Sequence, residues 1–539
     1  MPEKNQEFTA VIHALGTQGE GIANADGVTF FIPGALTGET VRFKALKVKN
    51  GIGYGKVEEI LTPSKERVAP PCPVFGKCGG CQLQHISYSA QLAYKRDTVK
   101  NTLKKVGNID IDVPMPVHSE REYGYRNKLQ LPVGVDREGN TVIGFYAERS
   151  HRIVPITSCA IHPAWATRLI QVFQEYIREN NVQGYDEVSH SGSLRHIVVR
   201  DMDGKFIVTV VSTEKKLKNT QDLIEKLKTV FSTFTLVLNV NTTPTNVIFG
   251  DTFTTLYGSG FFDASACGIT FEAGAQTFVQ INEDVRSKLY DYALEAVCAT
   301  GEEVVVDCYS GAGLLTAMVA KQAKRAYGIE LSAEASRCAD RLKEKNGLQN
   351  MHNICGKVEE KLFSVLEKER GNRLSLVLDP PRAGIHRSVV HAIHNSGIEK
   401  LVLISCNPAT LARDLGILTG TLIEDEKGQL IKGMGAGNYY IESILPFDMF
   451  PQTKHVETLV QLSHKKHDTQ LEVALDFEDK GVEQSLAELE SRVKSRESVR
   501  VTYKMIQEYI EEKYGFRKEA FTEGMNNFME FILSLVGEL

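Results

Sequence analysis

The run EVVVDCYSGAGLLTAMVAKQA, residues 303–323, holds a complete strand–turn–helix unit. Three consecutive valines make an apolar strand with Asp307 at its end. Tyr309 and the glycines Gly311 and Gly313 form a turn, and an apolar, small-residue segment continues as a helix. A strand this uniformly apolar belongs in a parallel sheet covered on both faces. Glycine lets the backbone approach a ligand, and in open α/β sheets ligands sit beyond the strand ends. The spacing is GxG with no third glycine, so the dinucleotide fingerprint is not met.

Strand–loop–helix alternation continues downstream. YGIELS ends a second strand in Glu330, LVLDPPRAG ends a third in Asp379, and LVLISCNPATLARDL carries a fourth into Cys406. Strand, glycine turn, helix, strand and acidic residue is the arrangement with which Rossmann-like methyltransferases take S-adenosylmethionine. A carboxylate at Glu330 suits the two hydroxyls of a ribose, and Asp379 is stiffened by two prolines at the same sheet edge.

A free cysteine is most often a small buried hydrophobe, but Cys406 has neighbours that suggest more. Carbon 5 of uracil is a poor nucleophile. A thiolate added to carbon 6 makes an enolate whose carbon 5 can attack a sulfonium methyl. A base must then remove the carbon 5 proton so that the thiol leaves. FPQTKHVETLVQL, just before an apolar strand, offers Glu457 as that base, since burial would raise its pKa toward the working range.

In order, FVQIN, LVLDPPRAGIH, LISCNPATLARDL and FPQTKHVETLV resemble the RNA uracil-5-methyltransferases acting on 23S ribosomal RNA, with the tRNA uracil-5-methyltransferase as a close relative. The resemblance runs from about residue 7 to 464. It implies Cys406 as nucleophile and Glu457 as base. It implies Gln280, Tyr309, Glu330 and Asp379 as the residues around S-adenosylmethionine. One position departs: Leu314 stands where some members place a polar residue against the cofactor.

The front of the chain has its own signals. Cys72, Cys78 and Cys81 in CPVFGKCGGCQ are spaced C-x5-C-x2-C in a polar, glycine-rich loop, and Cys159 in ITSCAIHP is a fourth candidate. Clustered thiols of this kind coordinate a soft metal, and spacing alone leaves zinc and iron–sulfur open. The radical-enzyme spacing C-x3-C-x2-C is absent. Resemblance to the ribosomal branch implies a 4Fe–4S cluster on these four residues. Residues 7–62 alternate in short strand-like pieces broken by glycines, which suggests a small antiparallel barrel. That barrel resembles a TRAM domain, an OB-like RNA-binding module. Arg42, Lys44, Lys47 and Lys49 lie along one strand as phosphate contacts would, and Arg195 and His196 are further candidates for RNA contact.

Bulk composition agrees. The chain has 539 residues, 42% apolar and 24% charged, and ten cysteines, too few for a disulfide scaffold. No apolar run approaches the roughly 20 residues needed to span a bilayer, and no signal peptide is evident, so a cytoplasmic protein without a membrane partner is expected. The net charge of −6 hides a basic front: residues 1–128 hold 17 lysines and arginines against 13 acids, whereas 465–539 hold 11 against 16.

The expected fold is multidomain α/β. Residues 1–64 form the TRAM/OB-like antiparallel β-barrel, and 65–265 an α+β central domain with the iron–sulfur cysteines. Residues 266–464 form a Rossmann-like methyltransferase domain, and 465–539 a helical C-terminal extension. The expected activity is methylation of uridine carbon 5 in 23S ribosomal RNA by a monomer. A tRNA substrate, cytosine-C5 methylation and a catalytically silent RNA-binding protein are the alternatives.

Overall fold

The computed structural model describes residues 2–465 except 278, 395, 426 and 436, together with the backbone of two short paired strands, Ala474–Asp476 and Arg500–Thr502. Apart from that pair, the expected helical extension lies outside the described residues.

Residues 7–62 build a six-stranded sheet that is not wholly antiparallel as expected, because Val28–Ile32 pairs with Ile52–Thr62 in parallel. In space the strands run Glu7–Val11, Thr40–Lys49, Ile52–Thr62, Val28–Ile32, Gly21–Ala25 and Ala14–Leu15. Period-two alternation turns Val28, Phe30 and Ile32 inward, and Val41, Phe43 and Ala45 from the neighbouring part of the sheet join them. The Phe30 and Phe43 rings lie 5.0 Å apart. A Cβ on Gly53 would stand 2.3 Å from the Phe30 ring, and one on Gly55 would stand 2.6 Å from Phe43. Glycine is therefore what lets the aromatic pair lie against the strand. Arg42 is ion-paired with Glu7 and Glu59, while Lys47 and Lys49 are exposed.

The central region is a seven-stranded sheet ordered Thr252–Tyr257, Phe234–Val240, Lys205–Ser212, Leu194–Met202, Lys128–Val135, Thr141–Tyr146 and Ile153–Pro155. Helices Ala164–Asn180 and Thr220–Lys228 bring Leu169, Phe173, Leu223 and Leu227 into a core with Leu129, Leu131, Val208 and Val210. Arg195 serves this architecture: it donates to the carbonyls of Asn241, Thr243 and Thr245 and lies over the Tyr185 ring.

The third sheet carries the site. Its strands run Met351–Cys355, Arg325–Glu330, Val304–Cys308, Leu374–Leu378, Lys400–Ser405, Glu457–His464 and Tyr439–Phe447; the first five are parallel, and Glu457–His464 is antiparallel to its neighbour on each side. Alternate residues bury on opposite faces. Val305, Val377, Val402 and Ile404 go to one core; Val304, Val306, Leu376, Leu401 and Leu403 go to the other. This double burial is the physical reason the strands read as unbroken apolar runs.

Helix Tyr88–Val106 precedes the central sheet in sequence but packs on the third one. The Ser87 hydroxyl caps it by accepting from the Ala90 N–H. Val99 and Leu103 join Leu411, Ala412 and Leu415 of helix Pro408–Thr419, a burial worth roughly 1.5–3 kcal/mol per side chain. The helices meet at Gly107, where a Cβ would stand 2.5 Å from the Ala412 carbonyl.

Candidate active site

Parallel register brings the chemistry to one edge. Cys308 pairs with Leu378, and Leu378 with Leu403, so Tyr309, Asp379 and Cys406 all emerge from the same end of adjacent strands. The switch in strand order between Val304–Cys308 and Leu374–Leu378 opens the crevice between them.

At the glycine turn, Tyr309 adopts φ +67°, a left-handed conformation that costs a non-glycine residue of order 1–3 kcal/mol. Its N–H and that of Ser310 both donate to the Ile329 carbonyl, at 2.9 and 3.1 Å. Glu330 accepts from the Gly311 N–H at 2.9 Å with one oxygen and from Ser332 N–H at 2.7 Å with the other. The carboxylate thus ties the glycine turn to the next helix. Gly313 is sterically required: a Cβ there would meet that of Ala339 at 2.8 Å. Beneath the turn, burial pushes Asp307 up to about 7, against a hydrogen bond from Thr316 at 2.6 Å. Leu314 opens the following helix and packs against the core.

Gln280 is 8% exposed and lies on the segment leading into helix Glu283–Val297. Asn127 fixes that segment, its side chain donating to the Gln280 carbonyl at 3.3 Å and its N–H to Ile281 at 3.0 Å. Tyr290 of the same helix is buried close enough to Asp379 and Asp307 for their charges to push its pKa up further.

Two strands along the sheet, Ser405 pairs with Thr458 across antiparallel strands, so the next residues outward are Cys406 and Glu457. Glu457 is 4% exposed; burial first, then the charge of Asp379, raises it to about 8. Burial alone carries Asp379 to about 7. The half-buried Cys406 thiol is raised by burial, then by Glu457. Arg382 is the cation that opposes these shifts, lowering both Cys406 and Glu457. The loop bearing Asp379 and Arg382 is fastened to the helix after Cys406. Asn407 donates to the Arg382 carbonyl at 3.0 Å, Asp414 accepts from Ile385 N–H at 2.9 Å, and Arg413 donates to the Ala383 and Ile385 carbonyls.

Cys406 opens onto a cleft of about 1170 Å³. One wall is the N-terminal sheet with His13 and Gln18, a second is helix Tyr88–Val106 with Tyr94, Asn101 and Lys105, and the third is the site with Arg382, Asn407, Lys454 and His455.

Cys72, Cys78, Cys81 and Cys159 line a single small cavity of about 110 Å³. Burial raises Cys78, takes Cys81 to about 11 and Cys159 to about 12, and the neighbouring thiols raise one another further. Among the described residues, no group of three or more Cys, His, Asp or Glu side chains is placed to hold a metal ion. Yet Gln84 Oε1, Arg126 Nε and His162 Nδ1, on side chains lining this cavity, are buried without hydrogen-bond partners. Four soft donors and orphaned polar atoms around one space fit a sulfur-rich inorganic group.

Arg382 and helix Tyr88–Val106, which walls the cleft, are not among the residues the sequence points to. Arg382 carried a signal, since it directly follows the Asp379-Pro-Pro turn. Among the described residues no helix is long and apolar enough to cross a membrane.

Comparison with known proteins identifies the chain's relatives. The family profile described as tRNA (uracil-5-)-methyltransferase matches residues 87–465. An uncharacterized RNA methyltransferase of Clostridium tetani is 38% identical over 86% of this chain and 97% of its own. One from Halalkalibacterium halodurans is 39% identical over 86% and 98%. In fold the chain resembles Pyrococcus abyssi tRNA (uracil-54, C5)-methyltransferase, solved in complex with S-adenosyl-L-homocysteine. That match has a TM-score of 0.65, is 24% identical, and covers 84% of this chain and 99% of that one.

Proposed function

The chain belongs to the tRNA (uracil-5-)-methyltransferase family and is an S-adenosylmethionine-dependent RNA methyltransferase, and we propose that it methylates carbon 5 of a uridine in 23S ribosomal RNA through a transient bond to Cys406. The observation carrying this reading is the pairing of a half-buried thiol, open to a polymer-sized cleft, with a buried carboxyl on the adjoining strand.

In the proposed sequence, the Cys406 thiolate adds to carbon 6, and the ring electrons move through carbon 5 to the carbonyl oxygen. S-adenosylmethionine supplies an electrophilic methyl, and S-adenosylhomocysteine is the product. Carbon 5 takes the methyl and then bears both methyl and hydrogen. Glu457 removes that proton, the carbon 5–carbon 6 double bond re-forms, and Cys406 leaves as thiolate. Arg382 favours both charged forms, thiolate and carboxylate, and so works with the reaction. Gln280, Tyr309, Glu330 and Asp379 surround the donor in this reading. The target base must leave its stack to reach the thiol, which favours a folded RNA loop over a duplex.

Cys72, Cys78, Cys81 and Cys159 would hold a 4Fe–4S cluster, whose contribution in this reading is structural. The choice of 23S over tRNA rests on the likeness of this four-cysteine pattern to the ribosomal branch. The domain map 1–64, 65–265 and 266–464, an N-terminal TRAM module binding RNA, a monomeric state and a cytoplasmic location complete the proposal.

Incubating the protein anaerobically with radiolabelled S-adenosylmethionine and unmodified 23S RNA or tRNA tests it. Label in 23S RNA that is lost in Cys406→Ala is the expected result. Label in tRNA alone would move the substrate, and no label in either would leave an RNA-binding role. Covalent trapping by 5-fluorouridine RNA but not by 5-fluorocytidine RNA separates uracil from cytosine chemistry.

A further inference from the structure

Five residues before Glu457 the chain makes a sharp, fully buried turn. Gln452 is 1% exposed and held at φ +69°, a conformation a glutamine adopts only when its surroundings enforce it. Three hydrogen bonds from elsewhere do so. The Gln91 side chain donates to Gln452 Oε1 at 2.9 Å and accepts from the Gln452 N–H at 3.0 Å, while the Leu83 N–H donates to the Gln452 carbonyl at 3.0 Å.

Leu83 lies two residues after Cys81. Between them, Gln82 uses both ends of its amide: it donates to the Gly79 carbonyl at 2.8 Å within the cysteine loop and accepts from the Lys454 N–H at 3.4 Å. Tyr125 adds a bond from its hydroxyl to the Pro451 carbonyl at 2.9 Å. The turn ahead of Glu457 is therefore hydrogen-bonded to the cysteine loop on one side and to helix Tyr88–Val106 on the other. Val456 is buried in the core, His455 packs against the Phe450 ring, and Glu457 itself pairs with Phe447. The ladder fixes the strand, and the clamp fixes the turn from which the chain enters it at Glu457.

We propose that Gln82 and Gln91 are positioning residues that set the Glu457 carboxyl for proton removal, so that the cysteine loop governs the final step of the reaction rather than RNA binding. This rests on the reading of Glu457 as the base. A misplaced base leaves the earlier steps intact: sulfur still adds to carbon 6 and carbon 5 still takes the methyl. The methylated adduct then persists because its carbon 5 proton stays.

The test uses the full chain with ordinary uridine RNA and S-adenosylmethionine, and measures turnover, KM for RNA and the fraction of protein in an SDS-stable complex with RNA. Gln82→Ala loosens the clamp from the half-buried cysteine-loop side, and Gln91→Leu from the helix side. Glu457→Gln is the reference. Each clamp variant is expected to lose at least tenfold in kcat with KM changed less than threefold, and to accumulate adduct as Glu457→Gln does. Gln82→Glu, which keeps the acceptor for Lys454 N–H, should recover part of the rate. If Glu457→Gln accumulates adduct and both clamp variants turn over like wild type, or lose rate without adduct, the positioning role is wrong. If Glu457→Gln itself accumulates none, the assignment of the base fails instead.

Discussion

Cys406 and Glu457 continue one antiparallel ladder: Ser405 faces Thr458, and the thiol and carboxyl are the next residue on each side. Their electrostatics are joined as well. Glu457 is the second-largest cause, after burial, of the raised Cys406 thiol, and Arg382 pulls both groups back. Two groups that must each lose a proton to act therefore disfavour each other's charged state, and one guanidinium reduces the conflict.

This arrangement fixes the sign of the pH response. Glu457 acts as base only when ionised, and its raised value of about 8 means that ionisation grows as pH rises through 8. The raised thiol works in the same direction. Single-turnover rates should climb between pH 6 and 9. Arg382→Leu removes the opposing cation, so its profile should move to higher pH, with a rate deficit at pH 7 of at least tenfold that narrows by pH 9. Arg382→Lys keeps the charge and should stay near wild type. A deficit in Arg382→Leu independent of pH would assign the residue to RNA contact instead.

The same buried carboxyl should cost the fold stability as pH rises from acid to about 8. In the unfolded chain Glu457 ionises near its ordinary value of about 4.3, while in the fold it holds its proton to about 8. Between these values the unfolded state binds fewer protons, so stability falls with rising pH and levels above 8. Glu457→Gln removes that loss. Its stability relative to wild type should rise from pH 5 to pH 8 by on the order of a few kcal/mol, read from denaturant midpoints at each pH. Equal midpoint differences at both pH values would contradict the burial cause.

The sequence revealed this site unevenly, for physical reasons. Glu330, Asp379 and Cys406 were legible because apolar parallel strands mark their own ends, and their turns need glycine, proline or a cap. Helix Tyr88–Val106 was not. Gln91 and Lys95 sit on its buried face and break the apolar period, and their partners Gln452 and Asp448 lie 361 and 353 residues away. Helix Ala164–Asn180, by contrast, has ordinary amphipathic spacing, with Leu169, Ile170, Phe173 and Ile177 on its buried face. The cleft was illegible too, because its walls come from three distant stretches of chain.

Lys95 and Asp448 make a prediction of their own. Both side chains are fully buried, 2.5 Å apart, and Lys95 also donates to the Phe450 carbonyl at 3.0 Å. Burial lowers the Lys95 pKa and Asp448 opposes it. Lys95→Met strands a buried carboxylate and should cost about 3–5 kcal/mol in urea unfolding. Pairing it with Asp448→Leu should recover much of that loss, since an apolar replacement of both partners removes the desolvation penalty. A double variant as unstable as the single would mean that packing, not charge, dominates here.

The four-cysteine cavity yields the last prediction. The thiols of Cys78, Cys81 and Cys159 are raised by burial and by one another, so as free thiols they would stay protonated and inert at neutral pH. A bound cation would reverse that, since coordination holds sulfur as thiolate. Anaerobically purified protein should therefore contain about four iron and four sulfide per chain, as expected for a 4Fe–4S group, with the brown absorbance of such clusters. Cys81→Ser, at the closest-spaced pair, should lose most of both. Because Gln82 and Leu83 follow that residue and bond to the turn ahead of Glu457, the same variant should lower turnover more than RNA affinity. Zinc near one equivalent with no iron would overturn the cluster assignment and leave the structural role of the loop intact.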